Sequence, residues 1–139
     1  MSTAPPLGSV VETGLYVEDL DRAARFYEGV LGLSPMLADE RFRAYPLERT
    51  VLLLFKRGTA LESIHLPGGT IPPHDGAGRL HFALSVAASE IEPWRAHLAH
   101  HGVAIEGETR WPKGGHSLYV RDPDGHLLEL VSPGVWANY

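Results

Sequence analysis

The chain contains no cysteine, so disulfides, thiolate zinc sites and cysteine nucleophiles are all excluded. It has no run of Lys or Arg and a formal net charge of −5, which makes nucleic acid or an anionic membrane a poor partner. No apolar run reaches membrane-spanning length. The start, MSTAPPLGS, has no basic region leading into an apolar stretch, so no secretory signal is read and the expected compartment is the cytoplasm. What is present is ordinary for a globular protein. The 139 residues are 44% hydrophobic and 21% charged, which suits one compact domain, 1–139, with a real core. Eight histidines remain, and in a cysteine-free chain they are the natural place to look for chemistry.

Residues 10–20, VVETGLYVEDL, alternate like a strand that runs into a helix start. Val11, Thr13, Leu15 and Val17 make one apolar face, while Glu12, Gly14 and Tyr16 make the other. A carboxylate beside a glycine is either part of a solvated face or a ligand next to a cleared space. Residues 79–86, RLHFALSV, repeat the pattern. Leu15 and Val17 match Leu84 and Val86 at an offset of 69, and at that offset Glu12 meets His81 and Gly14 meets Ala83.

Each strand is followed by a helical stretch. DLDRAARFYEGVLGL starts at Asp19, a suitable N-cap, with apolar residues at Leu20, Ala23, Ala24, Tyr27 and Leu31. SEIEPWRAHLAHHGV starts at Ser89, with Ile91, Trp94 and Leu98 in helical register and Pro93 in its first turn. Both stretches end at a glycine, Gly32 and Gly102, suited to a left-handed cap. Three short extended segments follow each helix, and DPDGH in the second set carries the Asp-Gly signature of a tight hairpin. The expected fold is α+β: two βαβββ modules, 10–58 and 80–133, in one domain. A Gly- and Pro-rich linker, 59–79, joins them, and curved mixed sheets enclose a cleft.

The last strand, HLLELVS, places Glu129 among apolar neighbours. A buried carboxylate is expensive without a charged partner or a metal. Glu12, His81 and Glu129 all fall on the first or last strand of a module. With YVEDLDRAARFYEGVLGL and LYVRDPDGHLLEL, the chain from Val10 to Ser132 resembles the vicinal oxygen chelate superfamily. That superfamily includes glyoxalase I, extradiol dioxygenases, fosfomycin-resistance enzymes and bleomycin-binding proteins.

The resemblance implies a divalent metal held by Glu12, His81 and Glu129. Glu12 lies seven residues before the Asp19 of the V-x-D-L stretch, and Glu129 four residues after the hairpin glycine, Gly125. On this reading Gly14 leaves room for what the metal binds. The family's first ligand is most often His or Gln, and here it is Glu. A fourth glyoxalase-type ligand is missing, because its position, Leu53 or Leu54, cannot coordinate. One imidazole and two carboxylates suit Mn, Mg or Fe(II), with Zn and Ni also compatible.

Ser117 and Tyr119 share a face opposite Leu118 and Val120, and the fosfomycin branch has a serine and a tyrosine at such positions near substrate. The cationic residues that would grip a phosphonate are absent, so that substrate is disfavoured. Loops 110–116, with Trp111, Lys113 and His116, and 70–79, with His74, border the expected cleft as candidate lids or merely solvated loops. His97, His100 and His101 receive no chemistry, and His126 reads as structural.

The leading expectation is a metal-dependent glyoxalase-type enzyme acting on a small oxygen-chelating substrate. Glu129 and Tyr119 would be its catalytic groups, and Ser117, Tyr119, Trp111 and His74 its substrate contacts. The rival is a bleomycin-resistance-like sequestering protein. An extradiol-type dioxygenase comes third, because that branch uses two His and one carboxylate. A homodimer is expected, since open curved sheets leave edges that invite pairing.

Overall fold

The structure, a computed structural model, describes residues 3–139. The alternating stretch forms β1 (Glu12–Val17), and the helix after Asp19 is α1 (Leu20–Gly29). β2 (Leu37–Ala38), β3 (Phe42–Leu47) and β4 (Thr50–Lys56) complete the first module. The stretch expected as a plain linker contains a hairpin, β5 (Ile64–Leu66) with β6 (Gly69–Ile71). The second module runs β7 (His81–Ser85), α2 (Ile91–His100), β8 (Gly107–Arg110), β9 (His116–Arg121) and β10 (Leu127–Val131).

The internal repeat is exact in topology. One sheet has the order β1-β4-β3-β2 and the other β7-β10-β9-β8. In each, the first strand lies parallel to the last, and the remaining pairs are antiparallel. The expected α+β architecture with mixed sheets is therefore present. Ser89 does not cap α2. The backbone first closes a tighter turn over Ala88–Glu90, with the Glu90 N–H donating to the Ala87 carbonyl at 2.9 Å, so the helix starts two residues later.

Contacts divide the chain into two compact units that do not follow the modules. Of the described residues, one comprises 3–20 and 33–76, the other 21–32 and 77–139. Almost all of α1 thus belongs with the second sheet. Its stripe of Ala23, Phe26 and Tyr27, with Leu31 beyond, is buried, as are Ile91 and Leu98 of α2 and Leu118, Val120, Leu128 and Leu130 of the sheet. Tyr27 explains the attachment: its hydroxyl donates to Asp122 Oδ2 at 2.7 Å. Asp122 Oδ1 accepts the backbone N–H groups of Asp124 and His126, at 2.9 and 2.8 Å. A buried carboxylate persists only when its lone pairs are satisfied in this way.

In the first unit, Leu15, Val17, Tyr45, Leu52 and Leu54 lie on one buried face of the sheet. Val11 and Thr13, expected on that face as well, are exposed, Val11 at 68%. Among the described residues β1 and β7 are edge strands, each hydrogen-bonded to one strand of its own sheet.

Glu108 on β8 gathers a surface network. Its carboxylate accepts Arg95 Nη2 at 2.7 Å and Nη1 at 3.1 Å, and pairs with His116 Nε2 at 2.5 Å. His116, expected on a cleft-edge loop, is instead the first residue of β9 and turns to this cluster. Hydrogen bonds from Arg95, then His116, hold the Glu108 carboxyl down to about 2 from its ordinary 4.5. A depressed acid stabilises the fold above its unfolded-state value and loses that contribution as pH falls toward the folded-state value. Glu108→Gln is therefore expected to lower Tm at pH 7, with the gap to wild type closing between pH 4.5 and about 2. Thermal melts across that range test it; a gap that does not change with pH would remove the charge as its cause.

Candidate metal centre

The turn between β9 and β10 sets the register of the site. Gly125 has φ +85° and donates its N–H to the Asp122 carbonyl at 3.0 Å, closing the Pro-Asp-Gly loop. Leu127 then pairs with Arg121, Glu129 with Tyr119 and Val131 with Ser117. On the other side of β10, His81 lies opposite Leu127 and Ala83 opposite Glu129. His81, Glu129, Tyr119 and Ser117 therefore share one sheet face, opposite the buried Leu118, Val120, Leu128 and Leu130.

His81 Nδ1 lies 2.8 Å from the Leu127 carbonyl oxygen. A carbonyl only accepts, so Nδ1 carries a proton, and in the tautomer with no second proton Nε2 presents a lone pair. That lone pair faces Glu129 Oε1 at 3.4 Å. Two acceptors that face each other need a cation between them. A proton on Nε2 would make the same contact a His–Glu ion pair. Two ligands of one ion, with bonds of about 2.0–2.2 Å and angles of about 90–110°, sit roughly 2.8–3.6 Å apart. The spacing and chemistry of the pair fit a divalent ion.

Glu129 is only 8% exposed and Ser117 is fully buried. The Ser117 hydroxyl lies 2.6 Å from Glu129 Oε2 and 2.8 Å from Trp111 Nε1. An indole N–H can only donate and a carboxylate only accept, so the serine proton sits on the glutamate side. Ser117 and Trp111, expected as substrate contacts, are thus engaged with a ligand candidate. Tyr119 is half-buried across from Glu129. Arg121 does not pair with Glu129; it grips Glu106 through two bonds of 3.0 Å, which raises the guanidinium pKa and lowers that of the carboxyl.

Glu12 is exposed on β1, in the other unit. Among the described residues, no group of three or more His, Asp or Glu side chains is placed to hold a metal. Within the second unit the structure brings His81 and Glu129 together. Sheet register resolves the missing fourth ligand: Gly14 pairs with Leu53 as Ala83 pairs with Glu129, so Leu53 is the counterpart of Glu129.

By the same register, Phe42 stands where the second unit has Ser117, Ala44 for Tyr119 and Phe55 for Val131. The first unit's face is aromatic where the second unit's is polar. Phe42, Phe55 and Tyr16 form a ladder with centroid spacings of 6.1 and 5.8 Å and ring planes 26° apart at each step. His74 stands edge-on to Phe55, with Nδ1 2.7 Å from the Tyr16 hydroxyl. Burial, then the charge of Asp75, pushes the Tyr16 phenol up, so it stays protonated. A Cβ on Gly14 would come 3.2 Å from Phe55 Cε2; the space beside Glu12 is set by that ring. The ladder escaped the sequence reading, although aromatic residues at alternate positions of adjacent strands are its signal.

Neither candidate lid is a free loop. In 70–79 the His74 N–H donates to the Ala60 carbonyl at 2.8 Å, and Asp75 accepts the Gly58 N–H at 3.2 Å. In 110–116 the Trp111 N–H donates to Gly115 at 2.8 Å, and the Gly115 N–H to Gly134 at 3.2 Å. His126 is buried and its Nδ1 accepts the Leu80 N–H at 2.9 Å, the structural part expected of it.

Comparison with known proteins agrees with this architecture. The chain is 30% identical to the glutathione transferase FosA of Serratia marcescens over 124 residues, 89% of this chain and 80% of the relative. It is 28% identical to the metallothiol transferase FosB of Shouchella clausii (strain KSM-K16) over 116 residues, 82% of this chain and 73% of that one. Among solved structures, lactoylglutathione lyase from Agrobacterium tumefaciens superposes with a TM-score of 0.85 at 31% identity, covering 95% of this chain and 98% of that chain. The family model of the Glyoxalase/Bleomycin resistance protein/Dioxygenase superfamily matches residues 9–130, and the chain belongs to that superfamily.

Proposed function

We propose that the protein is a metal-dependent glyoxalase-type enzyme acting on a small substrate that chelates through adjacent oxygens. The observation that carries this is the His81 Nε2 lone pair facing Glu129 Oε1 at 3.4 Å. His81 and Glu129 would hold the ion. A bound divalent ion supplies Lewis acidity toward the substrate's oxygens. The half-buried Tyr119 hydroxyl, beside Glu129 on the sheet face, donates a hydrogen bond to negative charge building on a substrate oxygen. Glu129 accepts a substrate proton as general base. The names of the relatives favour a thiol-bearing or thiol-derived substrate.

Metal analysis of protein purified without chelators or an affinity tag should find about one divalent ion per site. Affinity should fall as pH drops into the range where imidazole ordinarily protonates, because a proton on Nε2 takes the ion's place. Protein that is metal-free, and that takes up no ion in calorimetric titration between about pH 5 and 8, would overturn the reading.

The sequestering alternative is favoured by one observation, the Phe42–Phe55–Tyr16 ladder, which offers ring faces suited to a planar apolar compound. A homodimer is also proposed, supported by the edge positions of β1 and β7 in their sheets and by Val10 and Val11, exposed at 69% and 68%. Sedimentation should give twice the chain mass at micromolar concentration; a stable single chain there would count against pairing.

A further inference from the structure

We infer that the Trp111 loop is a positioning device for Glu129, acting through the Ser117 hydroxyl and never touching the ion or the substrate. The inference rests on the metal reading above. Its basis is a one-way chain of hydrogen bonds: Trp111 Nε1–H to Ser117 Oγ at 2.8 Å, then Ser117 O–H to Glu129 Oε2 at 2.6 Å. Neither end of the chain can reverse, since an indole has no acceptor and a carboxylate no proton to give. The bond to Oε2 turns Oε1 toward His81 Nε2 and leaves that one oxygen for a cation. Glu129 is therefore set up to bind through a single oxygen, which suits compact ions such as Mn, Ni or Zn better than calcium, whose sites commonly use a bidentate glutamate.

The loop is built to hold this position. The Trp111 N–H donates to the Gly115 carbonyl at 2.8 Å, and the Gly114 N–H returns to the Trp111 carbonyl at 2.9 Å. Gly115 in turn lies so close to 134–135 that a Cβ there would come 2.7 Å from Val135 Cγ2 and 2.9 Å from the Gly134 carbonyl. A loop clamped backbone to backbone cannot swing as a lid, but it can fix an indole N–H.

The test is calorimetric titration of the full chain with Mn²⁺, Ni²⁺ and Zn²⁺, with metal-free melts to show that each variant folds. Ser117→Ala should weaken metal binding about 10- to 100-fold, the usual cost of losing a partner behind a ligand. Trp111→Phe keeps a ring in place but removes the N–H, and should weaken binding in the same direction by less. The double variant should bind like Ser117→Ala alone, because Trp111 acts only through Ser117. Singles that bind like wild type, or losses that add in the double variant, overturn the relay while leaving the metal reading intact. A wild type that binds none of the ions overturns both. If Ser117→Ala fails to fold, the Trp111→Phe comparison alone decides.

Discussion

Glu129→Gln is expected to remove tight metal binding while leaving the metal-free protein at least as stable as wild type. The amide keeps the shape and volume of the carboxylate. Its carbonyl oxygen still accepts the Ser117 hydroxyl, now 2.6 Å from Oε2. Its –NH₂ then points at the His81 Nε2 lone pair, 3.4 Å away in the wild type, and converts two facing acceptors into a donor and an acceptor. What is lost is the negative charge that a cation needs, so affinity should fall by more than the roughly 10- to 100-fold typical of changes behind the ligands. Wild type with ion at about 100 times Kd should gain about 2.7 kcal/mol, several degrees of Tm. The variant should gain none. A variant that melts lower without metal, beside a wild type that no ion stabilises, would put the sequestering reading ahead.

Gly134→Ala should be among the most damaging small substitutions in the chain. Gly134 has φ +111°, where a side chain is strained by about 1–3 kcal/mol. Its added Cβ would also lie 2.5 Å from the Gly115 nitrogen and 2.7 Å from the Lys113 carbonyl oxygen, both backbone atoms that cannot rotate aside. Gly8→Ala, with nothing within 4 Å of its Cβ, is the control. Thermal melts should separate the two variants by several degrees. Equal Tm values would mean that the two loop segments move apart at little cost, against the clamp.

His81 and Glu129 were legible before any coordinates because their placement depends only on local rules. Period-two alternation decides the face, and an Asp-Gly turn decides the register. Glu12 follows the same alternation on β1, in the other unit. The bonding of Ser117 needed burial as well as face, because its hydroxyl lies between a carboxylate and an indole. The glycine beside Glu12 was read as space for a ligand, because Phe55, 41 positions away, sends no local signal that its ring fills that space. The β5–β6 hairpin escaped because three-residue strands in a Gly- and Pro-rich stretch are too short to show a period. Ser89 failed as a cap because a tighter turn competed for the same backbone groups.

The bond between Tyr27 and Asp122 joins residues 95 positions apart. In time, that separation is a delay. A ribosome adding about 5–20 residues per second finishes α1 roughly 5–20 s before it makes the carboxylate that receives Tyr27. For that interval the apolar stripe of Ala23, Phe26, Tyr27 and Leu31 has no sheet to cover it, and a short helix without tertiary support is marginal in water. The second unit closes only when the far end of the chain emerges, so its assembly carries the loop-closure cost that slows folds dominated by distant contacts. A nascent chain stalled before residue 122 should expose this helix to chaperones and proteases, whereas one released with its last hairpin complete should not.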